Sequence, residues 1–414
     1  MLIFSDKENV FISKQLTGLQ NFSKNYPSLF NMFVKKGFVV ELLSNETDFY
    51  LFKYIETNWQ GSMYKITINP TLDCNFNCWY CSVSTAGAKV KNSKMIDVTI
   101  DKIKLHIERV IARKKHKSIV LDWFGGEPML YYKSVIRPLA IFLKEKCVEK
   151  QIDFSHFITT NASLITNDII KEFKIFNVSY FQITLDGSEN RHNKIRNDGT
   201  NNSYRTIINN IIEISNEIDK SEIIVRINYD KKTLHTIHEL INDIDGVKKE
   251  NVIFDFQRVW QVEETKGENE KLKEVMFLFE KKGYRVRYPS YMQGKYHRCM
   301  FDKKDHIVIN YDGSLYKCSA RDYSEKFKVG QISDLGELIF NSNYYKYFNK
   351  ILLDECIDCK HLPLCAGPCI QHKFEYIRKD LNFDDICIIK HSELSINSFI
   401  LDKAKKILNE NNNN

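Results

Sequence analysis

Between residues 64 and 260, short runs of β-branched and aromatic residues alternate with stretches whose apolar positions recur every three or four residues. The runs are YKITINP, SIVLDWF, FSHFITT, SYFQITL, EIIVRINY and NVIFDFQRV, all short and β-rich. Between them, VTIDKIKLHIERVIARKK and SYRTIINNIIEISNEI space their isoleucines as one face of a helix requires. This alternation predicts parallel strands joined by helical crossovers, giving an α/β partial barrel or open sheet. Chemistry in such a sheet belongs at the carboxyl ends of its strands.

Upstream, SLFNMFVKKGFVVELL reads as a helix, a glycine-led turn and a short strand, so a small helix-plus-strand module precedes the sheet. Downstream, GENEKLKEVMFLFEKKGYRVRY predicts another helix and short strand, and HIVINYDGSLYKC a hairpin turning at Asp-Gly. The end, NENNNN, is polar low-complexity sequence, expected to be disordered.

Composition narrows the class. With 414 residues, 43% hydrophobic and 27% charged, the chain fits a soluble globular protein of two or three domains. It has no run of 18 apolar residues, and MLIFSDKENVF lacks the basic start and apolar core of a secretory signal. A cytoplasmic protein with no membrane partner is expected. The net charge of +7 is spread along a Lys- and Asn-rich chain. It is not interleaved with regular aromatics, so it reads as a solvated surface and no nucleic-acid partner is expected.

The 11 cysteines change the picture more. In a reducing compartment they point to metal binding or catalysis, not to a disulfide framework. Three sit at 74, 78 and 81, seven lie between 299 and 387, and Cys147 stands alone on a predicted helix as a structural thiol. The first group, CNFNCWYC, directly follows the first strand of the alternating region. Three thiolates on one loop suit zinc or an iron–sulfur cluster. Zinc wants a fourth ligand nearby, and the nearest histidine is His106. A cluster with one iron left open has a use for the vacancy.

CxxxCxxC after a first strand resembles the radical S-adenosylmethionine (SAM) superfamily, whose fold is a partial (β/α)6, TIM-like barrel. The resemblance implies that Cys74, Cys78 and Cys81 hold a 4Fe–4S cluster whose open iron binds SAM. It places Tyr80, the aromatic before the third cysteine, against the adenine, where a flat π face suits a purine. LDWFGGEPML supplies the family's GGEP motif. Gly125, Gly126, Glu127 and Pro128 are thereby implied to receive the SAM ammonium, glycine permitting close backbone approach and the carboxylate matching a cation. FITTNASLIT resembles the TNG-type turn, with Asn161 near the ribose. By position in FQITLDGSENRHNKIRNDG, Thr184 is implied at the ribose and Arg196 at the SAM carboxylate.

The late cysteines match the spacing of the SPASM extension of this superfamily. Carried over, Cys356, Cys359, Cys365 and Cys387 ligate a distal auxiliary cluster, while Cys299, Cys318 and Cys369 ligate a proximal one. That makes three 4Fe–4S clusters. The proximal cluster's fourth position is left to Asp302, Asp305, another group or a substrate thiolate. The expected domains are an N-terminal module over 1–64, of the winged-helix-like kind that docks a leader peptide, and the radical SAM barrel over 65–285. The SPASM domain follows over 286–392, then a C-terminal helix and tail over 393–414.

The implied chemistry is reductive cleavage of SAM to a 5′-deoxyadenosyl radical that abstracts hydrogen from a peptide. The implied partners are a precursor peptide with a leader and a reductase, flavodoxin or ferredoxin as electron donor. A maturase of ribosomally made peptides is the favoured reading. An anaerobic sulfatase maturase is second, because those enzymes carry Asp directly after the second SPASM cysteine and Ser319 stands there in this chain. A non-catalytic scaffold stapled by metal is the reading from outside enzymology.

Overall fold

All six β-rich runs are strands in the computed structural model, which describes residues 2–4, 11–13, 23–35, 46–85, 90–197, 199, 202–262, 267–287, 299–320, 323–357, 359 and 361–390. A short antiparallel pair, β1 (Leu2–Phe4) and β2 (Phe11–Ser13), comes first. The main strands are β3 (Met63–Ile68), β4 (Ser118–Trp123), β5 (Asp153–Thr160), β6 (Val178–Thr184), β7 (Glu222–Tyr229) and β8 (Val252–Arg258). They lie side by side in sequence order, every neighbouring pair parallel. β9 (Arg285–Arg287) adds a parallel edge after β8.

The opposite edge was not foreseen. β10 (His306–Ile309), from the cysteine-rich segment, pairs parallel with β3. The Asp-Gly turn then leads to antiparallel β11 (Ser314–Tyr316), followed by β12 (Lys328–Ile332) and β13 (Leu338–Phe340). The result is one open mixed sheet of 11 strands, not a closed barrel.

Alternation along the strands sorts the two faces. Ile66, Leu121, Ile158, Phe181, Ile183 and Val225 lie on one face with no more than 1% of their surface exposed. Helix Asp97–Ala112 buries Ile100, Ile103, Ile107 and Val110, and helix Ser203–Glu217 buries Ile207, Ile211 and Ile214. Each such side chain contributes about 1.5–3 kcal/mol when removed from water. The other face is polar. Register aligns Thr159 with Gln182, Thr184 with Arg226, and Asn228 with Gln257, all half-buried.

The chain divides into two compact units. The sheet unit comprises Asn58–Tyr288 and Cys299–Asn349. The smaller unit combines residues up to Thr57 with those from Lys350 onward, around a core of Tyr50, Tyr54, Leu353, Cys356, Leu362 and Ile386. The predicted N-terminal helix is present as Pro27–Lys35. Its following turn and strand, and the C-terminal helix and tail from 393, lie outside the described residues.

Candidate functional site

The first cysteine loop leaves the end of β3 and is fixed before its first cysteine. Thr71 donates through Oγ1 to the Ser93 carbonyl at 2.6 Å, and the Leu72 N–H reaches Ser93 Oγ at 2.9 Å. From the end of β4, the Gly-Gly-Glu turn is laid directly on this backbone. The Gly126 N–H donates to Thr71 O at 3.0 Å, and the Glu127 N–H to Asp73 O at 2.8 Å. Only glycine permits that approach. A Cβ on Gly125 would stand 2.2 Å from Thr71 O, where φ is also +116°, and one on Gly126 2.0 Å from Asp73 O. Pro128 then opens a short 3-10 turn at the position where a missing N–H costs nothing.

Glu127 fastens this turn to the next strand end. Its buried carboxylate accepts from Thr160 Oγ1 at 2.7 Å, the Asn161 N–H at 2.7 Å and the Met129 N–H at 3.0 Å. Burial pushes its pKa up, and these donors oppose the shift. Asn161 carries the connection back to the loop, donating through Nδ2 to Asn75 Oδ1 at 2.9 Å with Cys74 Sγ at 4.0 Å. Ala162, standing where the TNG pattern has glycine, takes the left-handed conformation, φ +61°.

Tyr80 lies at the centre of a buried polar knot. Its hydroxyl donates to Asp186 Oδ2 and accepts from Arg196 Nη1 at 2.8 Å and Asn228 Nδ2 at 3.2 Å. Asp186 also accepts the Asn228 N–H at 3.1 Å and stands 4.0 Å from Arg196. The Arg196 guanidinium lies 5.6 Å over the Phe76 ring, within the cysteine loop. Arg196 is 8% exposed, yet its Nε has no hydrogen-bond partner among the described residues. Thr184 ends β6 half-buried, in register with Arg226. Trp79 packs edge-on to Tyr80 at 5.7 Å but is 46% exposed. Sequence reasoning missed Asp186 and Asn228. The available signal was a carboxylate directly after an apolar strand, which burial without a partner would forbid.

Cys74 is pushed up to about 12 by burial, with Glu127 and Cys78 adding to the shift and Phe76 N–H and Arg196 opposing it. Cys78 rises for the same first reason and feels Cys81 in turn. The three sulfurs therefore share one electrostatic neighbourhood. A different environment surrounds Cys147, a fully buried helix residue raised to about 11 by burial alone.

Four late cysteines also converge. Cys356, Cys359, Cys365 and Cys387 line one pocket with Leu362 and Gly367. Burial, then Cys365, Cys359 and Cys387, push the Cys356 thiol up to about 12. Among the described residues no three Cys, His, Asp or Glu side chains are gathered on a single metal ion. A cubane does not ask for that, since each thiolate takes a different iron around a cavity. Several of these sulfurs already accept backbone N–H groups from two or three residues ahead. They are Cys74 from Phe76 at 3.3 Å, Cys318 from Ala320 at 3.4 Å, Cys365 from Gly367 at 3.3 Å and Cys369 from His372 at 3.4 Å. Such donors suit thiolates in a cluster.

Cys299 and Cys318 belong to the sheet unit and Cys369 to the smaller one. Asp305 is turned to Lys115 and His116, whereas Asp302 is buried and accepts from the Cys299 N–H. Beside Cys299, Lys65 pairs with Asp122 at 3.0 Å, and fully buried Lys317 donates to the Lys303 and His306 carbonyls at 2.7 Å each.

Comparison with known proteins agrees with this arrangement. The Radical SAM superfamily profile matches residues 68–244, and the SPASM profile, an iron–sulfur cluster-binding domain, matches 299–360. The radical SAM cyclopropyl synthase TigE of Paramaledivibacter caminithermalis is 24% identical over 377 residues, spanning 82% of this chain and 75% of TigE. Native anSMEcpe with bound AdoMet and Cp18Cys peptide superposes with a TM-score of 0.55 at 18% identity, covering 83% of this chain and 99% of that one. Native anSMEcpe with bound AdoMet alone gives 0.55 at 18% identity, covering 83% and 100%. With its cysteine loop at the carboxyl end of a parallel sheet and a cysteine-rich extension continuing that sheet, the chain is an enzyme of the radical SAM superfamily carrying a SPASM iron–sulfur domain.

Proposed function

We propose that the protein is a radical SAM peptide maturase. Cys74, Cys78 and Cys81 hold a 4Fe–4S cluster, the four pocket cysteines of the smaller unit hold a second, and Cys299 and Cys318 contribute to a third. When bound, the first cluster and SAM supply a 5′-deoxyadenosyl radical able to abstract hydrogen from an unactivated carbon.

The chain's own residues fit that group. Arg196 offers a buried donor without a partner among the described residues beside the cysteine loop, as a carboxylate-bearing cosubstrate requires. Glu127 spends three acceptor positions on the chain itself, so its first task is to hold the loop, with one lone pair left for an ammonium. Tyr80 is locked through its hydroxyl, which keeps the ring in one place for an adenine.

The observation that carries the peptide reading is the polar face of the sheet. Thr159, Gln182, Thr184, Arg226, Asn228 and Gln257 present hydrogen-bonding groups, all half-buried, toward the strand ends. Amide-rich substrates need such a surface, since every buried amide wants a partner. The N-terminal module over 1–64 is proposed to dock the leader, and a flavodoxin or ferredoxin to deliver the electron. Sulfatase maturation is disfavoured by Ser319, a buried residue without an ionisable group at that position.

Anaerobic reconstitution with iron and sulfide, then SAM and dithionite, is expected to yield 5′-deoxyadenosine. With a short precursor peptide encoded beside this reading frame, the peptide is expected to lose two hydrogens by mass. Conversion of a sulfatase-motif peptide to an aldehyde, with no change in the precursor, would overturn the proposal.

A further inference from the structure

Lys317 is an oddity of burial. It is a lysine with none of its surface exposed, directly before a cysteine, and among the described residues it makes no ion pair. Its nitrogen donates to two carbonyls, those of Lys303 and His306, and lies 5.2 Å over the Phe348 ring. Two of three donors are thus used, and on neutral acceptors. Burial pulls its ammonium down to about 7, opposed by the negative charges of Asp302, Cys299, Asp305 and Cys318. Asp305 is already committed to Lys115 and His116. Lys65, the other buried lysine near Cys299, has its own carboxylate, Asp122 at 3.0 Å, and is further occupied by Met300 Sδ at 2.7 Å. Two opposite charges at that separation largely cancel at a distance. Lys317 makes no ion pair of that kind among the described residues.

A buried ammonium that makes no ion pair is costly, and an anion supplied from outside the chain offsets that cost. A thiolate-ligated iron–sulfur cluster is such an anion, and it gains one more negative charge on reduction. We infer that Lys317 is a positioning residue for the auxiliary cluster at Cys299 and Cys318, whose ammonium favours the reduced state and raises that cluster's potential. This rests on the cluster assignment proposed above. Its consequence is that the cluster at Cys299 and Cys318 takes an electron more readily than it would without that charge.

The test uses full-length protein carrying C74A, C78A and C81A, so that only auxiliary clusters remain, poised at set potentials and read by EPR. Two reduction waves are expected. In Lys317→Met one wave moves to lower potential, so that its reduced-to-oxidised ratio at the parental midpoint falls at least tenfold, about 59 mV for a one-electron couple. The other wave stays. Lys317→Arg, which keeps the charge, is expected to stay near the parental midpoint. Where the methionine variant fails to fold, Lys317→Gln retains a donor for the carbonyls and is expected to show the same fall. Two unmoved waves in Met or Gln, or an equal shift in Arg, overturn the role of the charge while leaving the cluster assignment standing. A parent with iron for one auxiliary cluster only overturns that assignment, and the inference with it.

Discussion

At the scale of single residues, the site is decided by which buried charges have partners. Asp186 has no exposed surface, and burial pushes its carboxyl up. Arg196, the Tyr80 hydroxyl and the Asn228 N–H oppose that shift. Asp186→Ala would strand the Arg196 guanidinium, and removing one member of a buried pair costs about 3–5 kcal/mol. Anaerobic denaturant titration should show a loss of this size. A loss under about 1 kcal/mol, the surface-pair range, would mean the knot is hydrated and its members independent. The sequence marked two of these residues, Tyr80 by its place before a cysteine and Arg196 by its loop. For Asp186 it offered only a carboxylate after an apolar strand, and it could not mark Asn228, because one strand's motif does not say which side chain of the next will face it. Cys147 shows the converse. Burial alone acts on it, and isolation in the sequence was a sufficient sign.

At the scale of elements, the six parallel strands were legible because each is a short β-rich run bounded by helical periodicity. The pairing of β10 with β3 was not. HIVI spans four residues, all buried, and has no alternation to orient it. Its register, His306 against Lys65, joins segments whose sequence distance leaves no local trace. The cysteine loop illustrates what elements do for function, since its shape is imposed by β4's turn. Gly126→Ala places a methyl 2.0 Å from Asp73 O, a contact with backbone that cannot swing aside. The expected result is a loop displaced from its two hydrogen bonds, an overpacking cost of about 1–3 kcal/mol, and at least a tenfold drop in 5′-deoxyadenosine formed. Iron analysis and product assay on the same preparation check it. Parental turnover in that variant would show that the turn is not what holds the loop.

At the scale of the whole molecule, the described residues of the sheet unit include four buried histidines, and their protonation sets its tolerance of acid. Burial presses His156 down to about 3 and His106 down to about 4, and takes His192 and His306 well below the ordinary range. His156 accepts from Trp123 Nε1 at 3.1 Å through Nδ1 and stacks on its ring, so it has no room for a charge. In the unfolded chain each imidazole takes a proton near pH 6.5, while in the folded chain it does not. Below that pH the unfolded state therefore binds more protons, and stability falls as pH falls. Each group contributes about 1.4 kcal/mol per pH unit until its folded-state pKa is reached, a limiting slope of about 5 kcal/mol per unit for four. Asp122, Glu127 and Asp186, whose carboxyls burial pushes up, take protons in the folded state and offset part of this. Denaturant titrations under anaerobic conditions should give a markedly lower unfolding free energy at pH 5.5 than at pH 7.5. His156→Gln, which keeps an acceptor for the indole, should flatten the slope by about one proton. Equal stability at the two pH values would mean that these imidazoles reach water in the folded chain.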